Sequence, residues 1–225
     1  MPAVCYTPLR GLVMRVTELD ACGLLPVDAM AVTSKGFFTI TPTAETEEGQ
    51  DFARALADGT MCVDDKEPPL LKRLGLSLEL CGVNPELISF LTGNPVELDG
   101  SDPVGFRIRS GRASTRFAIE IWSALSLDEC DGDDLCYQYA LFPNVTGARV
   151  LPGPFTNGRQ DFTVEGAFTD GGAGWGDGPY LVVGPVGAPT DLPVAMTDAD
   201  HALIRRTCVP PPEPGCDAVA IDTNL

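Results

Sequence analysis

Apolar and polar residues alternate with a period of two in segment after segment of this chain, and turn-forming residues separate the segments. Successive side chains of a β-strand face opposite ways, so this pattern predicts half-buried strands. In GFFTITPTAE (36–45), Phe38 and Ile40 are expected on one face and Phe37, Thr39 and Thr41 on the other. In GFRIRSG (105–111), Phe106 and Ile108 oppose Arg107 and Arg109, and Ser110-Gly111 supplies a turn. In RFAIEIW (116–122), Phe117, Ile119 and Ile121 oppose Ala118, Glu120 and Trp122. In DFTVEGAF (161–168), Phe162, Val164 and Phe168 oppose Thr163, Glu165 and Ala167. LVMRVT (12–17), CYQYALF (136–142) and PYLVV (179–183) are further strand candidates. With 24 Gly and 20 Pro in 225 residues there are turns enough for many short strands. The expectation is a mainly β fold, an antiparallel sandwich or barrel.

One stretch breaks the rule. In LGLSLELCGVNPELISFLTG (74–93), Leu74, Leu76, Leu78 and Leu80 alternate with Gly75, Ser77, Glu79 and Cys81, after which the period becomes helical. Asn84 suits a helix N-cap, Pro85 the first helical position and Gly93 a left-handed exit. The predicted helix over 85–92 places Leu87, Ile88 and Leu91 on one face. Two further short helices are expected. One spans 198–206, where Thr197 and Asp200 are spaced as a loose capping box before Ala202, Leu203 and Ile204. The other spans DFARALADG (51–59).

Two regions read as decorations. Residues 42–69 are acidic and weakly patterned, and the chain turns Pro-rich from Gly184. Pro210, Pro211, Pro212 and Pro214 predict an extended segment. With 44% hydrophobic residues and no solenoid-length repeat, the chain reads as one domain over 1–207, loop 42–69 included, followed by a Pro-rich arm over 208–225.

The formal net charge of −17 opposes binding to nucleic acid or anionic membranes. No apolar run reaches the ~18 residues of a membrane helix. The first residues show no charged region followed by an apolar one, so synthesis in the cytosol without a Sec-type signal is expected. The sequon Asn144-Val145-Thr146 then has no glycan to accept. Of the eight cysteines, Cys130 with Cys136 and Cys208 with Cys216 are close enough to pair in an oxidising medium; otherwise the cysteines are expected as reduced, small buried hydrophobes. Without a C-x-x-C pair, and with His201 the single histidine, a zinc centre has no ligand set.

Catalysis is equally hard to assemble. His201 sits among acids at a predicted helix start, which the helix dipole alone accounts for. The cluster DECDGDD (Asp128, Glu129, Asp131, Asp133, Asp134) lacks EF-hand spacing and reads as a solvated turn. Gly-rich GGAGWGDGPY (171–180) has no Lys and no strand–turn–helix setting; its glycines suit tight turns and Trp175 a packing anchor. No catalytic, metal or cofactor residue is assigned.

Seven phrases in order resemble the major tail protein, or tail tube protein, of long-tailed actinobacteriophages. They are GLVMRVTELDACG, VTSKGFFTITPTAE, GTMCVDD, LELCGVNPELISFLTGNP, RFAIEIWS, FTNGRQDFTVEGAF and GWGDGPY, and the resemblance covers roughly residues 1–207. It implies a tail-tube β-sandwich with one flanking helix. It also implies hexameric rings whose inner sheets join into a barrel, stacked into a tube through which viral DNA passes. The implied partners are other copies of the chain, a tape measure protein, a tail terminator and baseplate proteins. The implied location is the virion tail, and no enzymatic activity is expected. Under this reading Leu87, Ile88 and Leu91 seal one open side of the sandwich. Glu45, Glu47, Glu48, Asp64 and Asp65 face the lumen or the inter-ring seam; the alternative is a solvated loop on the outside. The competing functions are another virion protein, such as a decoration protein or terminator, and a Ca²⁺-dependent extracellular carbohydrate-active β-sandwich.

Overall fold

The computed structural model describes residues 7–82, 84–111, 115–126, 135–155, 157–158, 160–172, 182–183 and 190–221. In order along the chain come β1 (Pro8–Leu19), β2 (Met30–Ser34), β3 (Phe37–Glu47), β4 (Asp51–Ala55), β5 (Met61–Lys66), β6 (Leu70–Leu80), α1 (Pro85–Thr92), β7 (Val96–Asp99), β8 (Asp102–Phe106), β9 (Arg116–Leu125), β10 (Tyr137–Thr146), β11 (Arg149–Pro152), β12 (Phe162–Thr169), β13 (Leu203–Thr207) and β14 (Val219–Ala220). The fold is mainly β. Ten strands make one antiparallel sheet in the order β14-β2-β1-β9-β10-β12-β6-β3, with β11 beside β12 and β13 beside β10. The pairs β4–β5 and β7–β8 stand as separate two-stranded sheets.

Packing follows from which strands are apolar on both faces. β9 is buried on both: Phe117 and Ile119 point into one cluster, Ala118 and Trp122 into another. The first cluster joins Met14, Val16 and Val32 with Leu76, Leu78, Leu80 and Val164, so the two halves of the sheet fold over one core. The second lies on the opposite face of β9 and β10, where Tyr139 and Leu141 meet Val182, Leu192 and Met196. β10 makes the changeover possible by dividing its outer edge. Tyr137–Leu141 pair with β13, whereas Val145 and Thr146 pair with β12.

The helix forms as its caps dictate. Asn84 Oδ1 accepts from the backbone N–H groups of Glu86 and Leu87 at 3.0 and 3.2 Å. Gly93 has φ 69° and its N–H closes on Ser89 O at 2.7 Å, a left-handed exit that a side chain would strain. Leu87, Ile88 and Leu91 are all buried in the first cluster.

Elsewhere the strict alternation slips. A bulge between Phe37 and Thr39 puts Phe37 and Ile40 against the core and leaves Phe38 exposed, reversing the expected partnership of Phe38 with Ile40. A second bulge lies between Val164 and Ala167, with Gly166 at φ 73°. Beyond it Ala167 and Thr169 turn inward, and Phe168 takes the other face, under the Arg73 guanidinium. In GFRIRSG the strand ends at Phe106, and Ile108 is exposed.

Both extra helices are absent. Residues 51–55 are strand β4, because pairing with β5 satisfies a polar backbone that a short isolated helix would leave frayed. At 197–200 the capping contact does form: Asp200 Oδ2 accepts from Thr197 N–H and Oγ1, both at 2.7 Å. It closes a turn instead of a helix, since Leu203–Thr207 are drawn into the ladder with β10. Of PYLVV, Val182 and Val183 are described, and Val183 bridges Thr190.

The Pro-rich arm lies on its own chain. Gly215 N–H donates to Thr33 O, Asn84 Nδ2 to Cys216 O and Ala218 N–H to Glu86 Oε2, at 3.0, 2.9 and 2.6 Å. β14 then pairs with Met30 and Ala31 of β2.

The cysteines depart from expectation. Cys136 is joined to Cys208, not to Cys130, which lies outside the described residues together with Cys5. The β10–β13 ladder explains the choice, since it ends at Tyr137 opposite Thr207 and so leaves the two cysteines abreast. Cys22, Cys62 and Cys216 are exposed free thiols and Cys81 is exposed too, so none of these is a core residue and Cys208–Cys216 is not a pair. The bond spans 72 residues. Closing a loop of that length in the unfolded chain is worth about 4 kcal/mol. Cys136→Ser with Cys208→Ser should lower the unfolding free energy by that order in urea titration; a loss under about 1 kcal/mol would mean the loop-entropy account fails here.

Candidate self-association surface

β3 and β6 pair from Phe37 opposite Leu80 out to Glu47 opposite Leu70. The inner half of this ribbon belongs to the core, where Leu76, Leu78 and Leu80 are buried. The outer half leaves the body. Thr41–Glu47 on β3, Leu70–Lys72 on β6, and all of β4 and β5 are exposed. β12 pairs with β6 only between Gly75 and Leu80, so further out the ribbon has two strands and no cover among the described residues. The segment expected as a loop over 42–69 is therefore a β-arm, tipped by the β4–β5 hairpin that turns at Gly59 (φ 84°).

This arm is not polar throughout. Leu70 is 73% exposed, Met61 53%, Leu71 49% and Phe52 47%, with Val63 close behind. A two-stranded ribbon in water is marginal by itself, and large exposed apolar groups on one mark a candidate interaction surface. The sheet also has an open edge. No further strand pairs with the outer side of β3 among the described residues, whereas the C-terminal segment covers β2, through β14 at Met30 and Ala31 and through Gly215 N–H at Thr33 O. An open edge presents backbone donors and acceptors to a neighbour.

All five acids singled out from the sequence lie on the arm. Glu45 Oε2 is 2.5 Å from Arg73 Nε, and Glu47 lies 3.8 Å from Lys72 Nζ. Both contacts are exposed ion pairs of small energetic weight. Glu48 sits in the exposed turn after β3. Asp64 stands opposite Ala53 and Asp65 opposite Phe52, hence on opposite faces of the hairpin. The acids thus share one projection without sharing one face.

The remaining titratable groups are tied into structure. Thr60 donates from its hydroxyl and backbone to Asp58, holding that carboxyl below its usual range. Thr197 does the same for Asp200. Glu97 is held low, and Arg107 raised, by their mutual hydrogen bonds and charge. His201 Nδ1 lies 2.9 Å from Thr169 Oγ1, which itself accepts from Leu74 N–H, so the histidine ties the segment before β13 to β12 and β6. The acidic cluster 128–134 and Trp175 fall outside the described residues. Among those described, no group of three or more His, Cys, Asp or Glu could hold a metal, and no helix is long and apolar enough to cross a membrane.

One buried ionic group escaped the sequence reading. Alternation put Glu120 on the face with Ala118 and Trp122 and assigned it no role, and it is fully buried there. Its Oε1 accepts from Arg15 Nη2 at 2.6 Å and Tyr139 Oη at 2.8 Å, and Arg15 Nε binds Oε2. Burial works against the Arg15 charge, but the charge and hydrogen bonds of Glu120 outweigh it and hold that pKa above its usual value. Arg15 also lies 5.6 Å from the centre of the Trp122 ring. The clue was present in sequence: Ala118 and Trp122 flank Glu120 on the same face, and no solvated face needs a tryptophan there.

No protein-family model and no curated protein matches the chain.

Proposed function

We propose that this chain is the repeating subunit of a tail tube in a long-tailed bacteriophage, built of stacked hexameric rings and serving as a conduit for viral DNA. The observation that carries the reading is the β-arm: a ribbon leaving the body with exposed leucine, methionine and phenylalanine needs a neighbour, and the nearest source in a homopolymer is another copy. In this reading the ten-stranded sheet is a sandwich of the tail-tube type, its inner strands joining those of five neighbours into a barrel. The helix then plugs one side of each subunit. The arm and the open edge of β3 make the contacts between copies, and the tape measure, terminator and baseplate proteins meet the assembled tube in the virion tail. A charge of −17 per copy suits a conduit, because carboxylates repel phosphates over a Debye length of ~8 Å and leave DNA unbound. The task needs no catalytic group and no cofactor.

Electron microscopy of the purified chain tests this. Hollow tubes or six-fold rings are expected from the full chain. Replacing residues 46–72 by Asn-Gly joins Glu45 to Arg73, its partner across the ribbon, through a tight hairpin turn. That variant should fold and remain monomeric. A full chain that stays monomeric at high concentration, or a shortened one that assembles like the full chain, overturns the reading.

A further inference from the structure

The C-terminal end of α1 opens onto a cleft of about 310 Å³. Thr92 and Gly93 line it at the helix end, Arg109 and Ser110 just beyond β8, and Arg149 and Leu151 on β11. Two anchors fix this arrangement. Asn94 Oδ1 accepts from Arg109 N–H at 3.1 Å and holds the segment after β8 against the helix. β11 is held by β12, which places Arg149 opposite Glu165.

The cleft brings two arginines together on a strongly anionic chain. The chain has 32 acidic and 15 basic residues, and Arg15, Arg73, Arg107 and Arg116 each bind a carboxylate. Arg109 and Arg149 do not: both are exposed, and neither joins an ion pair among the described residues. Arg109 and Arg149 line one concavity with no ion pair among the described residues to hold them, although Glu165 lies across the ladder from Arg149, and their planar forks of N–H donors match carboxylates. Exposed Ile108 and Leu151 give the same cleft an apolar rim.

The arm tip has the complementary pattern. Asp64 and Asp65 are exposed and in no ion pair among the described residues, and Met61 and Val63 beside them are exposed and apolar. We propose that the Arg109–Arg149 cleft receives the arm tip of a second copy, with Asp64 and Asp65, one from each face of the β4–β5 hairpin, as the carboxylates that accept from the guanidinium N–H groups. This rests on the self-assembly reading above and names the receptor for the arm. Tip and cleft are different surfaces, so the contact runs head to tail and propagates along a series of copies. It also gives a strongly anionic subunit one attractive site through which copies dock in a fixed orientation.

A charge-swap cycle read by sedimentation velocity tests the proposal. Arg109→Glu with Arg149→Glu is one variant, Asp64→Lys with Asp65→Lys a second, and all four changes together a third. All four positions are exposed, and thermal melts should show unchanged folding. Each double variant is expected to need at least about tenfold more protein to associate than the unaltered chain, and the quadruple variant to recover most of that loss. Association of the Arg109→Glu, Arg149→Glu variant at the unaltered concentration overturns the proposal while leaving self-assembly standing, as does a quadruple variant no better than the doubles. DNA co-sedimenting with the unaltered chain, and not with the cleft variant, would assign the cleft to phosphates and overturn it too. An unaltered chain that never associates removes both the proposal and the reading beneath it.

Discussion

Leu87→Asp together with Leu91→Asp is expected to leave no soluble, folded chain. An eight-residue helix is too short to persist in water by itself, so α1 exists because its apolar face is docked. Leu87 is 2% exposed and Leu91 fully buried, among Met14, Val16, Phe117 and Ile119. Deleting such a side chain costs about 2–5 kcal/mol, and an unpaired buried carboxylate in its place adds several more. Two such sites together exceed the ~5–15 kcal/mol by which a domain is stable. Leu87→Met with Leu91→Met keeps the volume and should fold at a cost under about 1.5 kcal/mol per site. Soluble yield and far-UV circular dichroism read the contrast. A soluble double-Asp variant with an unaltered spectrum would show that the helix is an ornament and not a plug for the core.

What the chain discloses before folding is what local chemistry decides. The helix and both its caps were legible because Asn84, Pro85 and Gly93 act on backbone groups within a few residues of themselves. The long strands β1, β9 and β10 were legible because their branched and aromatic residues recur along each segment. Bulges were not. The one at Glu165-Gly166 depends on β6 drawing Ala167 to the position beside Leu76, a contact from distant sequence. The arm was hidden for a related reason. The apolar residues Phe52, Ala53, Ala55 and Leu56 are spaced as on a helix face, and strand is chosen instead by Met61–Lys66 pairing across the turn. The alternation was read only from Leu74, which left Leu70 and Leu71 in no element; the reach of β3 past the body shows that they stand in solvent on the ribbon. The arginine cleft joins three segments separate in the chain, and nothing near Arg109 announces Arg149. The five acids were found as an acidic stretch, while their placement on a projecting ribbon needed the fold.

The Arg15–Glu120 pair gives the second large effect, and an asymmetric one. Arg15→Ala strips the fully buried carboxylate of its cation and leaves it the Tyr139 hydroxyl, a change that costs about 3–5 kcal/mol near neutral pH. Glu120→Gln strips the cation of its carboxylate, but the Arg15 side chain is 17% exposed and lies along Trp122, so its charge has water within reach. That variant should lose less. Variants at position 15 separate an electrostatic cause from a packing one: Arg15→Lys keeps the cation and Arg15→Met keeps the alkyl length, so Arg15→Lys should recover part of the loss and Arg15→Met should not, measured by urea midpoints. An Arg15→Met chain as stable as the unaltered one would mean that Arg15 acts through its alkyl stem against Trp122 and that its charge is incidental. Arg15→Met with Glu120→Leu removes both charges and keeps the volume, and it should be near neutral or stabilising. The pair then fixes the pairing of β1 with β9 at a small cost in stability, which is the same division of labour as at the arm: the apolar core holds the subunit together, and charge decides how its pieces are matched.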